Sequence, residues 1–91
     1  MLDTLEALIA ERKQNPKAGS YTNSLFDAGI SRMAQKVGEE ATEVVVAALS
    51  QGRQELIGET SDLFYHLLVL MSEKDITLSE VYAELERRHN K

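Results

Sequence analysis

Apolar residues recur at helical spacing along most of the chain and divide it into four or five helices. Leu2, Leu5, Leu8 and Ile9 open the pattern, with Glu6, Glu11, Arg12 and Lys13 on the remaining faces. Asp3 is the expected N-cap of this first helix. Asn15-Pro16 is its expected stop, because proline lacks an N–H and restricts the residue before it. Residues 14–24, QNPKAGSYTNS, read as loop. Around Gly29, the apolar Leu25, Phe26 and Ile30 leave open a short helix or a turn. Ser31 is the expected cap of a long helix running to about Leu49, and Ser50-Gln51-Gly52 ends it, with Gly52 at a left-handed stop. A further helix is expected over Arg53 to Glu73, then a turn at Lys74-Asp75-Ile76. Thr77 and Glu80 form a capping box for the last helix, Leu78 to about His89, with Leu78, Val81, Tyr82 and Leu85 on one face. No strand-like alternation interrupts this, so the fold expected is all-α.

On a wheel of ~100° per residue, Met33, Ala34, Val37, Ala41, Val44, Val45 and Ala48 share about 120° of arc and form the expected core face of the long helix. Arg32, Lys36, Glu40, Glu43 and Ala47 make a neighbouring stripe, with Glu40 at the border of the apolar arc and Glu39 further towards solvent. In the next helix Leu56, Leu63, Phe64, Leu67 and Leu70 define the expected core, flanked by Glu55, Glu59, Asp62 and His66. Glu59 lies only about 20° from the nearest core leucine. An ionised carboxylate there must be neutralised by a proton, by Lys36 or Arg32, or by a metal. The short connection makes the two helices antiparallel neighbours whose acidic stripes border their cores and converge on one cleft. From Leu63 to Met71 the helix is apolar nearly all round apart from the His66 side, with Leu68, Val69 and Met71 on further faces. This predicts burial against a partner subunit.

Composition narrows the chemistry. Ninety-one residues make a single domain, residues 1–91, with a thin core, and small chains without disulfides commonly gain burial by oligomerising. The absence of cysteine excludes thiolate metal sites and suits a reducing cytoplasm. A net charge of −5 argues against a nucleic-acid-binding protein, yet leaves room for a nucleotide substrate where a metal inverts the local charge. The first residues do not read as a secretory signal, and no apolar run is long enough for a membrane span. The expectation is a cytoplasmic protein. Hard oxygen donors without sulfur fit Mg2+, with Mn2+ as the alternative, and Lys36 stands on the same stripe to meet phosphate. The simpler account of each cluster is solvated surface charge. For His66 it is a core-edge histidine donating a hydrogen bond rather than a ligand.

EExxE at Glu39–Glu43 followed by ExxD at Glu59–Asp62 resembles the all-α nucleoside triphosphate pyrophosphohydrolase superfamily, the MazG-like group. Within it, SYTNSLFDAG, KVGEEATEVVVAA and ELIGETSDLFYHLLVLM resemble the phosphoribosyl-ATP pyrophosphatase family, over about Leu5 to Arg87. The resemblance implies magnesium-dependent hydrolysis of 1-(5-phosphoribosyl)-ATP to 1-(5-phosphoribosyl)-AMP and pyrophosphate, the second step of histidine biosynthesis. It implies Glu40, Glu43, Glu59 and Asp62 as metal ligands, Glu39 in or near that shell, and Lys36 with Arg32 on phosphate oxygens. Glu39 or Glu43 would take the proton of the attacking water. Ser20, Tyr21, Thr22 and Asn23 would either grip phosphate or ribose or simply shape a turn. Relatives assemble as homodimers or larger helical bundles, so four to five helices completed by dimerisation are expected. In many of them a cyclohydrolase is fused to this domain; here the following step is expected on another polypeptide. The competing functions are a house-cleaning pyrophosphohydrolase of free nucleotides and a non-catalytic helical dimerisation module.

Overall fold

The computed structural model describes residues 1–90, and the helices alternate with tight, individually explicable joints. They are α1 (Leu2–Gln14), α2 (Tyr21–Ala28), α3 (Ile30–Ser50), α4 (Arg53–Glu73) and α5 (Leu78–His89). No strand occurs among the described residues, so the all-α expectation holds.

The antiparallel pair α3 and α4 forms the backbone of the molecule, and α1 and α2 pack across it. The core is Ile9 from α1, Leu25 from α2, Met33 from α3, Leu68 and Val69 from α4 and Leu78 from α5. Leu2, Leu5, Phe26, Tyr65, Leu70 and Met71 pack around it. Each helix gives one or two buried side chains to a shared centre.

Several joints differ from the sequence expectation, each for a local reason. Asp3 lies in the first turn of α1 rather than at its N-cap, which is Met1; there the carboxylate acts on the helix dipole without a capping bond. The stretch read as loop to residue 24 becomes helical at Tyr21, because Ser20 is an N-cap whose Oγ accepts the Asn23 N–H at 3.2 Å. The N-cap of α3 is Gly29, at φ +96°, so Ser31 falls inside the helix and caps nothing. Gly52 is not left-handed: at φ −93° and ψ 179° it is the extended N-cap of α4. Its N–H donates to Glu55 Oε1 at 3.0 Å, and a Cβ at this position would stand 2.7 Å from that oxygen. A side chain here would push the flexible Glu55 carboxylate aside and weaken this bond, while the backbone angle itself suits any residue.

The C-terminus of α4 forms a Schellman turn, with Ile76 N–H donating to Met71 O and Asp75 N–H to Ser72 O. Asp75 occupies its left-handed position at φ +56° in place of the usual glycine. Thr77 and Glu80 exchange the expected capping-box bonds at the start of α5.

Two long-range polar contacts tie the periphery together. Lys13 Nζ donates to Ser72 O at 3.1 Å, pairs with Glu73 at 3.1 Å and lies 5.6 Å from the Phe26 ring centroid. Glu6, which the helical pattern leaves as ordinary surface charge, accepts the Leu78 N–H at 2.7 Å and so caps α5 from α1. Glu6→Ala is expected to destabilise the chain by about 1 kcal/mol through loss of this charged cap. Urea titration checks it, and an unchanged midpoint would count against the cap.

The inward faces of the long helices are rotated from the expected arcs. On α3, Glu40 and Ala47 are buried with Met33, while Ala34, Val45 and Ala48 are exposed. On α4, Leu68 and Val69 are buried by α1 and the rest of the same chain, so the partner expected to cover them is not needed there. Phe64, expected in the core, is 46% exposed, and Leu49 is 82% exposed. On α5 only Leu78 is buried; Val81, Tyr82 and Leu85 face outward. Surplus apolar surface exists, but on other faces than the pattern of α4 suggests. The radius of gyration, 14.4 Å, exceeds the about 12 Å of a compact domain of this length.

Candidate metal centre

The core-border positions of the two acidic stripes have direct consequences for their carboxylates. Glu40 and Glu43 stand one turn apart on α3, and Glu59 meets them from α4. A carboxylate oxygen from each of the three lies within 4.8 Å of the others. Glu40 is buried, Glu59 half-buried and Glu43 exposed. Glu40 Oε2 and Glu59 Oε2 are both buried without any hydrogen-bond donor. Such orphaned oxygens are costly in a native chain, and two of them facing one cluster is the pattern a hard cation satisfies. Asp62 is exposed and lies outside the three-residue cluster, one turn along α4 from Glu59.

The other oxygen of Glu40 is paired. Lys36 Nζ lies 3.3 Å from Glu40 Oε1 and 3.7 Å from Glu39 Oε1. Burial pulls the Lys36 pKa down. The hydrogen bond to Glu40 and the fields of Tyr21, Glu40 and Glu39 more than offset this, so the net shift is upward and the side chain stays cationic. Glu39 is engaged on the outer face: Arg32 lies 3.7 Å from Oε1, and Gln35 Nε2 donates to Oε2 at 3.2 Å. The expected carboxylates therefore divide. Glu40, Glu43 and Glu59 come together, Glu39 is held by cations beside them, and Asp62 stands at the rim.

Glu43 also separates two hollows. One, of about 300 Å³, is lined by Glu43, Val46, Gln51 and Glu59. The other, shallower and about 630 Å³, is lined by Gln35, Gly38, Glu39, Thr42 and Glu43. Its carboxyl is held above the ordinary glutamate value of 4.5, first by the hydrogen bond it shares with Glu59 and then by that neighbour's charge. Glu43 thus binds its proton more tightly folded than unfolded. The stability this proton contributes is present below pH 4.5 and is lost as pH rises through the folded value. The metal-free chain is expected to lose melting temperature across that window. Glu43→Gln should remove the drop, as should magnesium at neutral pH; equal pH profiles for the two chains would refute the pairing.

Ser20, Tyr21, Thr22 and Asn23 lie at the start of α2, where each polar group already has an internal partner. The Asn23 amide accepts from Lys17 N–H at 2.9 Å and donates to Arg12 O at 2.6 Å, joining α1, the loop and α2. Thr22 Oγ1 is hydrogen-bonded to Tyr65 Oη, and Tyr21 Oη to His66 Nε2 at 3.0 Å. Burial raises the Tyr65 pKa, against the pull of its Thr22 bond, and keeps the phenol neutral. A cleft of about 550 Å³ beside this turn is lined by Lys17, Gly19, Ser20 and Tyr21 among others. The sequence pattern misses this polyad, apart from the adjacency of Tyr65 and His66 to the acidic stripe and the Ser20-x-x-Asn23 spacing of an N-cap.

Comparison with known proteins gives the family of the chain. The family model described as phosphoribosyl-ATP pyrophosphohydrolase matches residues 2–89. A phosphoribosyl-ATP pyrophosphatase of Listeria welshimeri is 54% identical over 91 residues, covering 100% of this chain and 87% of its own. One from Sulfurisphaera tokodaii is 52% identical over 88 residues, 97% of this chain and 94% of its own. A histidine biosynthesis bifunctional protein of Caldanaerobacter subterraneus is 54% identical over 91 residues, and the chain spans 44% of its length.

Proposed function

Because the chain belongs to the phosphoribosyl-ATP pyrophosphohydrolase family, we propose that the α3–α4 cleft is where it holds magnesium against the phosphates of phosphoribosyl-ATP. The activity is hydrolysis of phosphoribosyl-ATP to phosphoribosyl-AMP and pyrophosphate, within histidine biosynthesis. The observation that carries the site is the pair of buried, donorless oxygens, Glu40 Oε2 and Glu59 Oε2, on facing helices.

In this reading Glu40, Glu43 and Glu59 supply the ligand oxygens, and Asp62 joins them from the rim. Magnesium, when bound, neutralises the triphosphate oxygens and lowers the pKa of a coordinated water; Mn2+ would serve the same donor set. Lys36 exchanges part of its pairing with Glu40 for a phosphate oxygen, a role its retained positive charge suits. Arg32, 45% exposed at its side chain, reaches the same region from the outer face. Of the two candidate bases, Glu43 is the better placed. It faces both hollows, whereas both Glu39 oxygens are already engaged by Arg32, Lys36 and Gln35. The Lys17–Ser20 loop borders the cleft beside α2 and would face the ribosyl side of the substrate.

The reading includes a cytoplasmic location, which a chain without cysteine suits. No helix among the described residues is long and apolar enough to cross a membrane. It also includes a homodimer, supported by Val45, Val46, Leu49, Ile57 and Phe64 left exposed on the α3–α4 hairpin.

The deciding experiment incubates the purified chain with phosphoribosyl-ATP and with a panel of free nucleoside triphosphates, with magnesium or with chelator. Magnesium-dependent release of pyrophosphate from phosphoribosyl-ATP is expected. Faster turnover of the free triphosphates would favour the house-cleaning activity instead.

A further inference from the structure

His66 is a buried titratable side chain that the chemistry above does not use. It is 6% exposed and continues the α4 stripe one turn beyond Asp62. Its Nδ1 lies 2.7 Å from the Asp62 main-chain oxygen, which can only accept, so Nδ1 carries a hydrogen. In the neutral ring Nε2 is then a bare acceptor, and a buried acceptor needs a donor. That donor is the Tyr21 hydroxyl at 3.0 Å. The direction of each bond follows: Tyr21 O–H to His66 Nε2, and His66 Nδ1–H to the Asp62 carbonyl.

The rings reinforce this line. Tyr65 and Tyr21 both meet the His66 ring edge-on, with centroids at 5.1 and 5.9 Å and interplanar angles of 83° and 82°. Tyr21 and Tyr65 are near-parallel at 6.1 Å. Tyr65 in turn is hydrogen-bonded to Thr22, the residue after Tyr21. Two adjacent residues in the first turn of α2 are therefore held by two adjacent residues of α4. The linkage runs from the acidic helix through His66 and Tyr21 to the turn that opens α2.

We propose that His66 and Tyr21 are positioning residues, which fix the first turn of α2 and the adjoining Lys17–Ser20 loop against the carboxylate cleft so that the substrate's phosphates are received in register. The proposal rests on the reading of that cleft as the catalytic one. A histidine suits the position because its two nitrogens, on opposite sides of one rigid ring, bind the helix backbone and the tyrosine at once. An exposed loop would otherwise be ordered only when substrate arrives, and that ordering weakens binding. The role is in binding geometry, so its signature belongs in KM and not in the chemical step or in metal affinity.

Tyr21→Phe is the informative variant. Tyr21 is 52% exposed, and the change keeps the ring stack while deleting one hydroxyl. The KM for phosphoribosyl-ATP should rise about five- to tenfold, with kcat and the magnesium half-saturation changed by less than about twofold. His66→Gln, whose amide extends to the Nε2 position, should keep KM near the original. His66→Asn, which reaches only as far as Nδ1, should reproduce the KM of Tyr21→Phe. The double variant Tyr21→Phe/His66→Asn should be no worse than either alone, because both break one linkage. An unchanged KM in Tyr21→Phe, a multiplied effect in the double variant, or a parallel fall in kcat and magnesium affinity would overturn the proposal. If the His66 variants fail to fold, the Tyr21→Phe kinetics decide alone. An original chain with no turnover of phosphoribosyl-ATP would overturn the reading of the cleft and this proposal together. An active original chain matched by Tyr21→Phe would overturn this proposal only.

Discussion

Glu59→Gln is expected to abolish turnover while making the metal-free chain more stable. The carboxylate it replaces comes from α4 into a cluster otherwise built on α3, so without it the cluster spans only one helix. Losing about 4 kcal/mol of transition-state stabilisation, the scale of a metal-held phosphoryl charge, lowers kcat/KM roughly a thousandfold. The gain in stability has a separate cause. Glutamine brings an N–H donor to a group in which two buried oxygens have none, and it removes a negative charge beside Glu40 and Glu43. A new hydrogen bond of about 1 kcal/mol would raise the melting temperature by about 4–8 °C in a domain of this size. Pyrophosphate release and thermal unfolding, each with magnesium and with chelator, test the two halves together. In the variant, added magnesium should no longer raise the melting temperature. Retained turnover would remove the cleft from consideration as the metal centre, and a dimerisation module with solvated carboxylates would then be the better account.

The second large effect concerns assembly. Phe64→Glu is expected to convert the proposed homodimer to a monomer in sedimentation experiments at micromolar concentration. Phe64 is half exposed in the single chain, and the same hairpin leaves Val45, Val46, Leu49 and Ile57 uncovered. Burying a phenylalanine contributes about 1.5–3 kcal/mol, and a two-fold interface doubles every change. Dissociation should therefore strengthen by about 3–6 kcal/mol, roughly two to four decades in Kd. A monomeric original chain, or a variant that stays dimeric, would contradict the assignment of this face.

How much was legible in the sequence depended on how local the cause was. The Thr77–Glu80 box, the proline stop after α1 and the short α3–α4 connection depend on residues within one helical turn, and all three are present. The desolvation of Glu40 and Glu59 was also legible, since a residue's angular distance from an apolar arc is fixed by helical geometry. Periodicity defines an arc but not what covers it. On α3 the arcs through Ala34–Val45–Ala48 and through Met33–Glu40–Ala47 lie side by side, and only the packing of α4 decides that the second faces inward. On α4 it is α1 that covers Leu68 and Val69, a contact between distant parts of the chain. The Tyr21–His66 and Thr22–Tyr65 bonds were hidden for the same reason, and because Ser20 turned an apparent loop into the first turn of a helix.

The two-residue link Gln51-Gly52 has a consequence for the order in which the molecule comes together. Closing so short a loop costs little chain entropy, whereas joining Glu6 to Leu78 must bring together residues 72 positions apart. The hairpin that carries the three glutamates is therefore the contact of lowest contact order between the long helices, and α1 with its hold on α5 is the last to be favoured. The acidic cluster is put together from near neighbours, and its mutual repulsion falls on an early, inexpensive closure. Tyr21, held by His66, waits on a longer closure of 45 positions.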